Sequence, residues 1–296
     1  RQEVFDALIK CKQAGMKAIM ITGDHHDTAY AIAKELGMVK HEKEVVNGSY
    51  LDKFTDEELT KEINKYSVFT RVSPEHKVRI VKALQSNGKV VAMTGDGVND
   101  APSIKQADIG IGMGNTGTEV TKDVADMILT DDNFATIVLA VEEGRRIFGN
   151  IQKTIQFLLS CNIAEVLSIF AITLFFPKYT LFSAVQILFI NLITDTFPSI
   201  ALGVNPAESD LMKEPPRNKN QYIIGGRVGV NIGYQGLTQA LCVILAFVIG
   251  IYVFSSPLVA STMAFITINL IQLFHMYNVK TNNSVFKTNP FKNKLV

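Results

Sequence analysis

Beyond Asn150 the chain carries four apolar segments, roughly 155–176, 181–204, 228–254 and 258–279, each close to the ~20 residues that a helix needs to cross a bilayer. Hydrocarbon offers the backbone no hydrogen-bond partner, so such segments are predicted to be membrane helices, here forming two hairpins. Before Asn150 the pattern differs. Short apolar runs at 17–22, 89–94, 108–112 and 126–130 alternate with amphipathic stretches, the rhythm of a parallel sheet covered by helices. The predicted organisation is an α/β domain over 1–141, a polar helical stalk over 142–154, a transmembrane bundle over 155–279 and a tail over 280–296.

The charge balance narrows the partners. With 29 basic and 28 acidic residues the formal net charge is +1, which suggests no nucleic-acid partner; the apolar spans imply membrane lipid instead. Cys11, Cys161 and Cys242 are far apart and lack CxxC spacing, so neither a disulfide framework nor a zinc site is indicated and a reducing compartment fits. Lys213, Arg217, Lys219 and Arg227 lie between the second and third spans, and Lys280, Lys287, Lys292 and Lys294 follow the fourth, while the other two loops offer only Lys178. By the excess of basic residues on the inner side, the α/β domain, the middle linker and the tail are expected to be cytoplasmic. No signal peptide precedes the domain and the chain starts at Arg1, so a truncated chain is expected.

In an open α/β sheet, ligands bind at the loops that follow the strands. Two such loops stand out, Thr22-Gly23-Asp24 and Thr94-Gly95-Asp96-Gly97-Val98-Asn99-Asp100. Mg²⁺ prefers a few hard carboxylate oxygens and completes its shell with water or phosphate oxygens, and Asp96 is the expected ligand. Gly95 and Gly97 let the backbone approach a phosphate, while Asn99 and Asp100 can hold either the loop or the phosphate. Lys77, within RVSPEHK, can place a point charge on a phosphoryl oxygen. Residues 47–66 read as a helical excursion, with Thr55, Asp56, Glu57 and Glu58 suited to a helix N-terminus.

Polar groups within the apolar spans need a reason, because a central aspartate costs about 2.5–3.5 kcal/mol on insertion scales. Asn162 and Glu165 are three apart in the first span, and Asn191, Thr194 and Asp195 sit at i, i+3 and i+4 in the second, so each set shares one helix face. Two carboxylates with amide and hydroxyl oxygens make a hard-oxygen cage that balances a divalent cation and suits Ca²⁺. The isolated Cys161 and the lack of a CPC pair speak against a soft metal. Pro198 frees backbone carbonyls just past Asp195. Asn269, Gln272 and His275 also fit as packing or interfacial groups.

The string TGDGVNDAP at Thr94–Pro102, downstream of TGD and of a lysine-bearing helix, resembles the phosphorylation domain of P-type ATPases, which belong to the haloacid dehalogenase superfamily. The resemblance implies a Rossmann-like α/β fold for this domain. It also implies a Mg²⁺-binding role for Asp96, a phosphate-neutralising role for Lys77, and a loop at Thr22, Gly23 and Asp24 that borders an acyl-phosphate, with Asn99 and Asp100 completing the site. The DKTGT motif that carries the phosphorylated aspartate is absent from the chain. Likewise SCNIAEVLSIF and NLITDTFPSIALGVNPAESDLMKEPPR resemble the fifth and sixth helices of Ca²⁺-ATPases, which implies that Asn162, Glu165, Asn191, Thr194 and Asp195 ligate the transported Ca²⁺. Gln272 stands where two-site reticulum-type pumps place a glutamate, and Glu165 is acidic where one-site plasma-membrane-type pumps are not; one Ca²⁺ per cycle is the expectation. The resemblance further implies ATP as substrate, a plasma-membrane location, and an N-terminal part with actuator and nucleotide-binding domains and four helices. The competing readings are a membrane-anchored phosphatase of the same superfamily, a P-type pump for Na⁺/K⁺, H⁺, Mg²⁺ or Mn²⁺, and a regulatory or assembly module.

Overall fold

The computed structural model describes residues 2–206, 211–217 and 222–281; Lys219, Lys287, Lys292 and Lys294 of the basic clusters lie outside the described residues. The chain divides into two compact units, Arg1–Glu143 with Ser209–Asn220, and Gly144–Glu208 with Gln221–Val296.

The first unit is α/β. Helices α1 (Gln2–Gln13), α2 (His26–Glu35), α3 (Gly48–Leu51), α4 (Asp56–Glu62), α5 (Pro74–Ser86), α6 (Ala101–Gln106) and α7 (Glu119–Val124) alternate with strands β1 (Met20–Thr22), β2 (Val45–Asn47), β3 (Val68–Thr70), β4 (Ala92–Gly95), β5 (Ile109–Met113) and β6 (Met127–Leu129). All pairings are parallel, but they form two three-stranded sheets, ordered β1-β3-β2 and β4-β5-β6, rather than the single sheet that the strand pattern suggests. The four apolar runs hold β1, β4, β5 and β6. The added strands β2 and β3 are only three residues long. All of β3 is buried, and a strand covered on both faces shows no alternation to read.

Fully buried Phe69 of β3 packs with Leu51, Leu59, Ile63 and Ile80, side chains whose burial contributes about 1.5–3 kcal/mol each. The expected excursion at 47–66 is helical over α3 and α4, beginning one residue after β2 closes at Asn47. Thr55 accepts from the Glu58 amide at 3.3 Å while the Glu58 carboxylate accepts from the Thr55 amide at 2.9 Å, a reciprocal cap that starts α4. Ile21 of β1 and Met93 of β4 join a cluster with Val81 and Ile104. The two strands that lead into the TGD and TGDGVND loops therefore leave one shared core.

The second unit is helical. Four helices are long and apolar enough to cross a membrane. The first, α8 (Phe134–Phe175), joins the expected stalk and first span in one helix, and the division between the units falls inside it. The second span is not one regular helix. It consists of α9 (Ala184–Phe189), a π-helical stretch at Ile190–Asp195 and α10 (Thr196–Gly203). Pro198 has no N–H to give the Thr194 carbonyl four residues back, which loosens the α-helical ladder at this point. The hairpin of α11 (Arg227–Phe254) and α12 (Pro257–Lys280) completes the unit. Val166, Phe170, Leu188, Phe197, Leu241 and Phe274 point outward, as lipid-facing side chains do.

Small residues let these helices approach. A Cβ on Gly250 would lie 2.3 Å from the Ala260 Cα, and one on Gly236 would lie 2.7 Å from Ile163, the close contacts that membrane helices use in place of a hydrophobic drive.

Candidate functional site

Two groups of polar residues emerge, one in each unit. In the first unit, β1 ends at Thr22, which donates from its hydroxyl to Asp24 Oδ2 at 2.9 Å and accepts from the Asp24 amide at 3.1 Å. The turn is therefore self-braced, with Gly23 and Asp24 exposed at its tip. Helix α5 is started by Ser73, which accepts from the His76 amide at 3.3 Å, and by Pro74 in its first turn; this fixes Lys77 one residue further on. The Lys77 ammonium pairs with Asp100 Oδ1. Asp100 is buried, its Oδ2 accepts from the Gly97 amide at 3.4 Å, and it packs on Gly95 so closely that a Cβ there would sit 2.4 Å from its own Cβ. The structure thus brings Lys77, Gly95, Gly97 and Asp100 together. Asp96 and Asn99 are exposed on the same loop.

The Asp96 main chain is held from the other side by residues that the sequence reading did not single out. Its carbonyl accepts from the Thr118 amide at 2.9 Å and from the Thr121 hydroxyl at 3.4 Å. The loop before Thr118 is gathered by Asp132: Oδ1 accepts from the Gly114 amide at 2.7 Å and the Asn115 amide at 3.0 Å, and Oδ2 accepts from the Thr116 amide at 2.8 Å and its hydroxyl at 2.9 Å. The Asn115 amide foremost, with Thr116 and Gly114, holds the Asp132 carboxyl below its usual range. The Gly- and Thr-rich run GNTGT after β5 was the available signal.

The Asp96 carboxylate accepts no hydrogen bond among the described residues, so both hard oxygens are free on a water-accessible loop. That donor chemistry fits Mg²⁺.

The second group lies in the helical unit. Glu165 of α8, Thr194 and Asp195 of the π stretch and Gln272 of α12 are all buried. Gln272 Nε2 donates to Glu165 Oε1 at 3.1 Å, and the Thr194 hydroxyl donates to Asn269 Oδ1 at 2.5 Å. The Glu165 and Asp195 carboxylates are close enough to repel one another when both are charged, and Cys161 lies beside Asp195. Asp195 Oδ1 and Gln272 Oε1 have no hydrogen-bond partner among the described residues.

Asn162 and Asn191 are not gathered with them: both are exposed on this chain, and Asn191 donates back to the Ile187 carbonyl at 3.0 Å. His275, one turn beyond Gln272, shares a hydrogen bond with Ser160 at 2.7 Å and stacks on Phe157. Among the described residues no group of three or more His, Cys, Asp and Glu side chains is placed to hold a metal; the group here is two carboxylates with amide and hydroxyl oxygens.

Both units match known families. Residues 1–108 match the model for haloacid dehalogenase-like hydrolases, and residues 179–296 match that for the C-terminus of cation-transporting ATPases. The chain is 46% identical to calcium-transporting ATPase 1 of Bacillus cereus over 99% of its own length and 35% of the relative's. It is 46% identical to a calcium-transporting ATPase of Bacillus subtilis over 99% of the chain and 33% of the relative. For a calcium-transporting ATPase of Listeria monocytogenes the identity is 44%, over 100% of the chain and 33% of the relative. The chain spans about a third of the length of these curated relatives.

Proposed function

Since this chain belongs to the P-type cation-transporting ATPases, we propose that the whole protein is an integral membrane pump that uses ATP to export Ca²⁺ from the cytoplasm, across the plasma membrane. The γ-phosphoryl group passes to an aspartate that lies outside this chain, which contains no DKTG string. The TGD and TGDGVND loops and Lys77 serve that transfer, and the buried carboxylates carry the ion.

For a loose phosphoryl-transfer transition state, a protein contributes position and charge. Lys77 supplies the cation for a phosphoryl oxygen, and its pairing with Asp100 keeps the ammonium oriented at the loop. Thr22, Gly23, Asp24 and Asn99 border the reacting group. Mg²⁺ held by Asp96, when bound, neutralises charge on the phosphate oxygens.

The observation that carries the choice of ion is Asp195, buried at 4% exposure in a membrane-spanning helix with Oδ1 unpaired, within electrostatic reach of Glu165, which is buried as well. Oxygens of this kind suit Ca²⁺, which accepts six to eight such ligands in adaptable geometry. A purely anchoring helix has no use for them. The alternative of a membrane-tethered phosphatase has no such observation behind it.

The test is ATP hydrolysis and phosphoenzyme formation by the complete protein in inside-out vesicles, with each divalent metal titrated separately. Stimulation and uptake by Ca²⁺ are expected. Hydrolysis indifferent to Ca²⁺, or stimulated only by Mn²⁺ or by Na⁺ with K⁺, would overturn the assignment.

A further inference from the structure

Gln239 of α11 is buried at 4% exposure, and neither its Oε1 nor its Nε2 has a hydrogen-bond partner among the described residues. An amide with every donor and acceptor unmade is costly to bury within a membrane helix. Its position says what it faces. The buried stripe of α11 runs through Gly236, Gln239, Val243, Phe247 and Gly250. Gly236 lies against Ile163 and the Ser160 carbonyl of α8, and Val243 packs with Ile268 and Ala264 of α12. Gln239, between them on the same stripe, therefore points into the seam between α8 and α12.

The helix registers fix its depth. The Gly250–Ala260 contact sets α11 antiparallel to α12, and moving the same number of residues along each helix brings Gln239 opposite Ile271, beside Gln272. The pairs Ser160–His275 and Glu165–Gln272 set α8 antiparallel to α12, so α11 runs parallel to α8. One turn on from the Gly236–Ile163 contact, Gln239 comes level with Val166, one residue past Glu165. Glu165, Gln272 and Gln239 thus share one layer in depth, with Asp195 within electrostatic reach of Glu165. That layer holds three oxygens without partners: Asp195 Oδ1, Gln272 Oε1 and Gln239 Oε1.

We propose that Gln239 supplies an oxygen ligand to the transported divalent cation, completing a set drawn from four segments: Glu165 of α8, Asp195 of the π stretch, Gln272 of α12 and Gln239 of α11. The inference rests on the reading that this layer carries Ca²⁺. Neutral amide oxygens raise the number of hard ligands without adding negative charge beyond the two carboxylates, the balance that suits a divalent ion.

The experiment is the Ca²⁺ dependence of phosphoenzyme formation from ATP by the complete pump, comparing the native protein with Gln239→Leu and Gln239→Glu. Phosphorylation from inorganic phosphate without Ca²⁺ reports on folding in each case. Leucine removes the oxygen but fills the same space and relieves the unpaired amide, so the variant is expected to fold and to need about tenfold more Ca²⁺. Glutamate keeps an oxygen at the same reach and should stay within about threefold of the native half-saturation. If the leucine variant does not accumulate in membranes, Gln239→Met makes the same comparison. An unchanged half-saturation in the leucine or methionine variant, or an equal loss with glutamate, overturns the role of Gln239. Absence of Ca²⁺ dependence in the native pump would instead overturn the reading beneath it.

Discussion

Gln272 and Glu165 meet across α12 and α8, the amide donating to the carboxylate at 3.1 Å with both side chains buried. The bond orients Glu165 without neutralising it, and Gln272 Oε1 stays unpaired. Replacing Glu165 by Gln keeps the shape and removes one of the two negative charges that balance a divalent ion. Ca²⁺-dependent phosphorylation of the complete pump should then need at least about tenfold more Ca²⁺, with nucleotide binding unchanged. A native Ca²⁺ titration in this variant would contradict the assigned role of Glu165.

The Lys77–Asp100 pair makes a separate prediction. The side chains are 19% and 10% exposed, so Lys77→Ala leaves Asp100 charged, mostly desolvated and without its cation. Breaking a fully buried pair costs about 3–5 kcal/mol, and partial solvent screening here lowers the expectation to about 2 kcal/mol. Lys77→Ala, Asp100→Ala and the double variant, compared by denaturant unfolding, should show clear coupling, with the double variant more stable than the two single losses add up to. Additive losses would mean that the two side chains do not act as a pair. Phosphorylation from ATP should fall in both single variants.

The two glycines of the TGDGVND loop should respond differently to a methyl group. A Cβ on Gly95 would come within 2.4 Å of the Asp100 Cβ and 2.7 Å of its carboxylate, whereas one on Gly97 meets nothing closer than 3.9 Å. Gly95→Ala must displace Asp100 and with it the partner of Lys77, a rearrangement worth about 1–3 kcal/mol. Gly97→Ala should leave stability within about 0.5 kcal/mol of native. Equal unfolding midpoints for the two would refute this account of Gly95.

How much of this was legible in the sequence depended on the scale at which each signal is written. The apolar spans and the strand-ending loops were visible because each is carried by consecutive residues. The cap at Thr55 and Glu58 was visible because its two members lie one helical turn apart. Strand β3 was not, because a three-residue run buried on both faces has neither length nor alternation. The π stretch before Pro198 could be anticipated as a local disturbance, although its type could not. The clustering of Glu165, Asp195 and Gln272 depends on helix registers, which Gly236 and Gly250 set by close approach. For the same reason Gln239, one of several polar residues in its span with Asn231, Gln235 and Thr238, carries no sequence signal of its own; the registers alone bring it to the depth of Gln272. Asn162 and Asn191 share the expected faces with Glu165 and Asp195, yet they are exposed on this chain.

Asp132 adds a pH dependence whose sign is determined. Its carboxylate accepts from the Asn115, Gly114 and Thr116 amides and the Thr116 hydroxyl, and these donors depress its pKa in the folded protein, the Asn115 amide foremost. An acid whose folded pKa lies below its unfolded value of about 3.9 contributes stability that is fully present above that value. The contribution is lost as pH falls through the lower, folded pKa. Asp132 also has a positive φ of 48°, which asparagine tolerates as well as aspartate does, so Asp132→Asn isolates the charge from the backbone conformation. The amide keeps only one oxygen to accept from three amides and a hydroxyl. The variant should therefore unfold at a lower temperature than the native protein near pH 7, and the gap should close toward pH 3. Because the same loop holds the Asp96 carbonyl through Thr118, the Thr118 amide should exchange with solvent deuterium faster in the variant at neutral pH. A gap in melting temperature that widened on acidification would refute the assignment of Asp132 as an anionic clamp.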